Sequence, residues 1–251
     1  MTALSLYTTI INVATILKEV EAAGMRLEIG GDFAAYKRLR NAQMDRTQPY
    51  PMFDVASSYV DETNAFWVCG FNHKDELVHT QAIRRLDMKG TSLGEHLKHH
   101  RHKYITPSST PDPDQTYFAQ PTALSHITGD VCYHGEFWLQ GGEGGHRSQG
   151  FTALLSRIVF EITLKIWSPD YVFGLVPMPL AFKGIPARYG YMHSEPGLWM
   201  GPDEEVTSEE MLVWMSKNDI VQFLDTSPQA LSKERRLPGR RHVVGNMSIV
   251  A

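Results

Sequence analysis

From Thr9 to Ala23 the apolar residues Ile10, Val13, Ala14, Leu17 and Val20 recur along one helix face, and Gly24 supplies a stop. This spacing predicts an amphipathic leader helix. A short strand follows around Arg26 to Ile29. After Gly30-Gly31, Asp32 is a good N-cap for a second helix with Phe33, Tyr36 and Leu39 on one side, ended by Pro49 and Pro51. Phe66-Trp67-Val68-Cys69-Gly70-Phe71 and the run Leu77 to Ile83 flank the turn-like Asn72-His73-Lys74-Asp75, which predicts an antiparallel hairpin. Ser92 to Tyr104 is a His-rich helical piece. Thr106 to Asp114, with Pro107, Pro111 and Pro113, predicts no regular structure, so 88–121 is expected to be a surface insertion. Order resumes with a strand at Val131 to Gln140, a glycine-rich turn and a helix from Gln149 to Trp167. In that helix Phe151, Leu154, Leu155, Ile158, Ile162 and Ile166 recur at three and four residues. Tyr171 to Val176 reads as a strand in the middle of a sheet. A short helix broken by Pro186 leads to Tyr189-Gly190-Tyr191. Leu198 to Met200 and Met211 to Met215 read as late strands, the second with helix as its alternative.

This order predicts an α/β (α+β) fold, a mixed and mostly antiparallel central sheet flanked by helices, with no internal repeat. A chain of 251 residues, 42% of them hydrophobic, can bury one sizeable core. Residues 1–25 are expected to be an N-terminal helical extension, 26–216 the main domain, and 217–251 a C-terminal helix and basic tail. The two cysteines, Cys69 and Cys132, lie in strand-like segments and read as reduced and structural. No Lys or Arg precedes the apolar stretch through Ile10 and Ile11, and Lys18, Glu19 and Glu21 follow soon after, which fits a signal peptide poorly; the longest apolar runs, such as Phe151 to Phe160, are broken well before the roughly 20 residues that span a bilayer. A cytoplasmic protein with no membrane segment is therefore expected. The net charge of -4 gives no general attraction to nucleic acid, and the local cluster Lys233, Arg235, Arg236, Arg240, Arg241 reads as a solvated tail. His96 and His100 share a helix face at i, i+4, but no Cys or carboxylate pair accompanies them, so no metal is expected.

The most informative segment runs from Glu136 to Thr152. A strand ending in small residues that open a helix presents unpaired backbone N–H groups at the positive end of the helix dipole, an arrangement that binds phosphate. The Walker-type loop fails for want of a lysine. The dinucleotide fingerprint meets Arg147 where its third glycine belongs, and the nucleophile elbow around Ser148 has His146 in place of its first glycine.

Arg147-Ser148-Gln149-Gly150-Phe151-Thr152 resembles motif A of the GNAT (Gcn5-related N-acetyltransferase) superfamily, (Q/R)-x-x-G-x-(G/A), with Thr152 departing at the last position. Arg188-Tyr189-Gly190-Tyr191 is similar to the family's Y-x-x-x-G-F segment, and the resemblance spans about residues 26–216. It implies an acyl-CoA N-acyltransferase fold and an enzyme moving an acetyl or other acyl group from acyl-CoA to an amine. Arg147, Ser148, Gln149, Gly150, Phe151 and Thr152 would hold the CoA pyrophosphate, and the strand edge at Trp138, Leu139 and Gln140 would hold the pantetheine arm. The family often places a Glu on the fourth strand as base, the position of Glu136. His134, on the same strand face by period two, is a second candidate base. The family's tyrosine acid falls at Pro186 here, which leaves Tyr189 as the candidate acid.

The resemblance implies a small-molecule amine or amino-acid-like acceptor, with the N-terminal helices and the insertion walling its side. An enzyme that makes N-acyl amino acids or homoserine lactones from acyl carrier protein is one alternative, and a GNAT-fold binding module without catalysis is another. A homodimer stays open.

Overall fold

The computed structural model describes residues 2–43, 48–104, 114–142, 146–147 and 150–225. The basic tail, most of the proline-rich stretch, and Ser148 and Gln149 lie outside the described residues.

One eight-stranded sheet organises the chain, in the order β1-β2-β3-β5-β6-β8-β7-β4. The strands are β1 (Arg26–Gly30), β2 (Ala65–Phe71), β3 (Leu77–Met88), β4 (Tyr117–Ala119), β5 (Gly129–Leu139), β6 (Tyr171–Pro177), β7 (His193–Met200) and β8 (Val206–Ser216). Every neighbouring pair is antiparallel except β5 and β6. The expected mixed, mostly antiparallel sheet is thus observed, and Met211 to Met215 is strand rather than helix.

Three helices cover one face of the sheet: α1 (Ala3–Glu21), α4 (Thr152–Ile166) and α7 (Lys217–Asp225). The other face carries α2 (Phe33–Asn41) and α3 (Leu93–His100). Between them, the four-residue helices α5 (Met178–Ala181) and α6 (Ile185–Arg188) follow β6. The α4 face packs Leu155, Ile158 and Phe160 on Cys132, Val172 and Val213. The buried Arg157 of α4 clips α7 in place by donating to the carbonyls of Phe223 and Leu224, and it ion-pairs with Glu161. On the opposite face Phe33, Phe53, Tyr104, Tyr133 and Phe173 form a run of ring contacts. Both cysteines are free and buried.

Two expectations are corrected here. The described parts of 88–121, residues 88–104 and 114–121, are not a surface appendage. Leu93, Leu97 and Tyr104 are buried in the core, and β4 extends the sheet by pairing with β7. The proline cluster hid the apolar residues that precede it. The leader helix does not wall the acceptor side either, because α1 packs on α4 through Ile16, Val20 and the bonds of Thr9 and Asn12 to Glu161. Its outer side exposes Leu4, Tyr7, Ile10 and Ile11, and α1 is long and apolar enough to cross a membrane by length and composition. The helix begins at Ala3, ahead of the predicted start at Thr9.

If α3 is core, Leu97→Ala should cost about 2–5 kcal/mol of stability in urea unfolding. A loss under about 0.5 kcal/mol would return the segment to the surface.

Candidate active site

β5 and β6 are ladder partners only at Val131↔Tyr171, Cys132↔Val172 and Tyr133↔Phe173. Beyond these, β5 stays with β3 as far as Leu139, and β6 stays with β8 as far as Pro177. The cause lies in β5. Thr80 pairs with Trp138 and Ala82 with Gly135, so Gln81 alone faces both Glu136 and Phe137. This is a β-bulge, which bends a strand and increases its twist. Glu136 takes the left-handed φ of 59°. Side chains of β3 pin the bulge: Thr80 Oγ1 donates to the Glu136 carbonyl at 2.8 Å, and His79 Nδ1 donates to the Trp138 carbonyl at 2.7 Å.

A cleft opens where the strands part. Its inner cavity, about 430 Å³, is lined by Gly135, Glu136, Phe137, Gly174, Val176 and Tyr191 among others, with Arg40 and Tyr50 at the α2 side. An outer hollow of about 710 Å³ adjoins it and shares Phe137, Trp138, Leu180, Ile185 and Tyr189 as common wall. Gly174 marks the closed end, where a Cβ would lie 3.0 Å from the His134 carbonyl.

The bulge delivers the Glu136 carboxylate to the α2 face. There it accepts from Arg40 Nε at 2.7 Å, Tyr36 Oη at 3.1 Å and the Tyr50 backbone N–H at 2.8 Å. The Arg40 and Glu136 side chains are only 3% and 1% exposed. His134 lies on the other face, against Phe160 of α4. The shared face expected for His134 and Glu136 therefore does not exist, because the extra residue breaks the alternation of period two.

His134 belongs to a buried relay. Its Nε2 is 3.1 Å from Gln81 Oε1, while Gln81 Nε2 donates to the Leu155 carbonyl at 2.6 Å. An amide oxygen only accepts, so Nε2 carries the proton and Nδ1 accepts from the Tyr191 hydroxyl at 3.1 Å. Burial pushes the imidazole from 6.5 down to about 3. A group so weakly basic is a poor general base at neutral pH. Tyr189 packs against Phe137 with ring centroids 4.1 Å apart and the rings tilted by 34°, and burial raises its phenol, so it stays protonated.

The outer hollow lies at the start of α4. α4 begins at Thr152, three residues later than predicted, with Phe151 as an N-cap that supplies no side-chain bond to the first turn. Gly150 takes the left-handed φ of 77° that the turn requires. Gly150, Thr152, Trp138, Leu139 and Arg147 all line the hollow, joined by Lys183 and Arg188 from α6 and the residues before it. Arg147 Nε donates to the Leu139 carbonyl at 3.0 Å, and its backbone N–H donates to the Gln140 carbonyl at 3.0 Å. Phe151 is instead turned into the core, 1% exposed, so its side chain is not placed to touch a ligand. The sequence reading missed Arg40, Tyr191, Lys183 and Arg188. For the last two the signal was cations five apart around Pro186. For Arg40 and Tyr191 there was none without the contacts.

No protein-family model matches this chain, and no curated protein does. Among solved structures it is similar to a chimera of the Vibrio cholerae spermidine N-acetyltransferase SpeG with hSSAT, at 10% identity over 78% of this chain and 98% of that one, TM-score 0.41. It is also similar to an N-acetyltransferase from Staphylococcus aureus Mu50, at 7% identity over 77% and 98%, TM-score 0.42. A third is an aminoglycoside acetyltransferase in complex with coenzyme A and kanamycin, at 11% identity over 79% and 98%, TM-score 0.39.

Two outcomes test the site's electrostatics. Glu136→Gln leaves Arg40 buried without its counter-charge, which should cost about 3–5 kcal/mol in urea unfolding, and a neutral result would show that the pair does not hold the bulge. His134 has a folded pKa of about 3 against 6.5 unfolded, so the unfolded chain binds more protons between those values. Its contribution to stability is complete above pH 6.5 and is lost as the pH falls toward 3. In unfolding at pH 7, 5 and 4, His134→Gln should lessen this decline, and an unchanged slope would contradict the assignment.

Proposed function

We propose that this chain is a GNAT-type N-acyltransferase that binds acyl-CoA in the cleft between β5 and β6 and transfers the acyl group to the amine of a small molecule. The observation that carries the reading is the meeting of two features. A parallel strand pair parts at a bulge, and the resulting cleft leads to an uncapped helix N-terminus flanked by Arg147, Lys183 and Arg188. A pyrophosphate needs donors and positive charge, and the first turn of α4 with these cations provides both. The β5 edge beyond Tyr133, with no ladder partner across the cleft, gives a pantetheine amide chain a strand to lie along.

Acyl-CoA supplies an activated thioester carbonyl, which this path brings to the inner cavity. The acceptor would enter from the α2 side, past Arg40 and Tyr50. Glu136, with its oxygens engaged by Arg40, Tyr36 and Tyr50, acts in this reading as a positioning residue that fixes the bulge and the mouth of the cavity. His134, neutral and hydrogen-bonded on both ring nitrogens, fixes Tyr191 at the closed end. The amine then loses its proton to solvent, because a neutral nucleophile is required and neither former base candidate is placed to take it. Tyr189, protonated and in the wall common to both cavities, is the donor for the departing sulfur.

Lys183 and Arg188 are exposed, so their reversal should leave the fold intact. Lys183→Glu and Arg188→Glu should each weaken CoA binding by about tenfold in calorimetry, equivalent to about 1.4 kcal/mol. Tyr189→Phe should keep CoA affinity while lowering turnover about 10²-fold or more with a panel of amines. Unchanged CoA affinity in both charge reversals would remove the donor-site assignment.

A further inference from the structure

We propose that Arg84, His100 and Lys103 form a second oxyanion site, separate from the cleft, that takes a phosphate or sulfate group. The site is a cavity of about 300 Å³ between β3, α3 and the 3₁₀ turn Arg101–Lys103 that follows it, with Met52 on its wall.

A buried guanidinium lines this cavity. Arg84 is 9% exposed. Its Nη1 donates to the Met52 carbonyl and its Nη2 to the Tyr59 carbonyl, each at 2.8 Å, and its Nε has no hydrogen-bond partner. Carbonyls satisfy N–H groups but carry no net charge. Among the described residues no carboxylate forms an ion pair with Arg84; Asp61 acts on it only from beyond contact distance and accepts from Thr63, whereas the buried Arg40 and Arg157 are each matched by a glutamate. A buried ion without a counter-ion is costly, and native interiors ordinarily pair it.

The surrounding groups deepen the deficit. Lys103 and His100 line the same cavity, half-buried, and neither makes an ion pair or a hydrogen bond among the described residues. Burial and then the charge of Arg84 hold the Lys103 ammonium below its ordinary value. Burial, followed by Lys103 and other nearby cations, does the same to His100. His96 shares the wall but is committed to the Tyr104 hydroxyl at 2.8 Å. The carboxylate on the wall is Asp87, which is exposed and accepts from the Lys89 backbone N–H at 3.1 Å. Arg85 is already neutralised by Asp130 at 2.7 Å. What remains is a small concave space with two fixed positive charges and a titratable imidazole, the complement of a tetrahedral dianion rather than of a cation or an apolar group. Tyr50, two residues before Met52, lines the inner cavity of the cleft, so the segment between them separates the two sites.

The test uses inorganic phosphate and the full chain carrying Lys183→Glu and Arg188→Glu, which reverses two of the cations at the α4 end of the cleft. Calorimetry should still show one phosphate bound per chain, and proton NMR should show the His96 and His100 imidazole signals moving with the titration. Adding Lys103→Ala or His100→Ala should weaken binding at least tenfold. Both residues sit at the rim, so these variants avoid the structural bonds of Arg84. The proposal is overturned if that background binds no phosphate, if neither rim substitution changes the affinity, or if the imidazole signals of His96 and His100 stay fixed while phosphate binds.

Discussion

At Glu136 one extra residue enters β5, and a buried carboxylate ion-paired to Arg40 holds it there. A left-handed conformation in a residue other than glycine costs about 1–3 kcal/mol, and it persists only where the surroundings over-determine it. Here they do so from both faces. Tyr36, Arg40 and Tyr50 hold the side chain, while Thr80 and His79 hold the carbonyls on either side of Phe137. Without this clamp β5 would be free to continue its parallel pairing with β6, and the inner cavity would close.

The cleft is electrostatically divided. Its outer end gathers cations at an open helix terminus, where negative charge is welcome. Its inner end is lined by aromatic rings, glycines, the mutually neutralising pair Arg40 and Glu136, and a closed hydrogen-bond relay from Tyr191 through His134 and Gln81 to Leu155. The arrangement suits a ligand with a charged head and an extended, uncharged arm. The Arg84 cavity differs in kind, a small pocket with charge on its walls and no elongated approach.

Much of the fold was legible in the sequence because its signals are local. Asp32 capped α2 as expected, the turn at Asn72 to Asp75 joined β2 to β3, and the spacing of Leu154, Leu155 and Ile158 marked the buried face of α4. Gly150, with its left-handed φ just ahead of α4, was also a local signal. What failed was non-local. Strand alternation placed His134 and Glu136 together, and only the partner strand shows that Gln81 faces two residues. Leu93, Leu97 and Tyr104 looked like part of a surface insertion because the residues they pack against lie elsewhere in the chain. The pairing of Arg40 with Glu136 spans 96 residues, and no pattern in one sequence announces it.

The central claim is that the space between β5 and β6 is the acyl-CoA site, and amide hydrogen exchange with and without CoA tests it most directly. The account predicts that CoA slows exchange at Gly135–Leu139 of β5 and in the first turn of α4, and leaves β2 and β7 unchanged. Protection confined to other elements, or none at a CoA concentration that saturates binding, would contradict it.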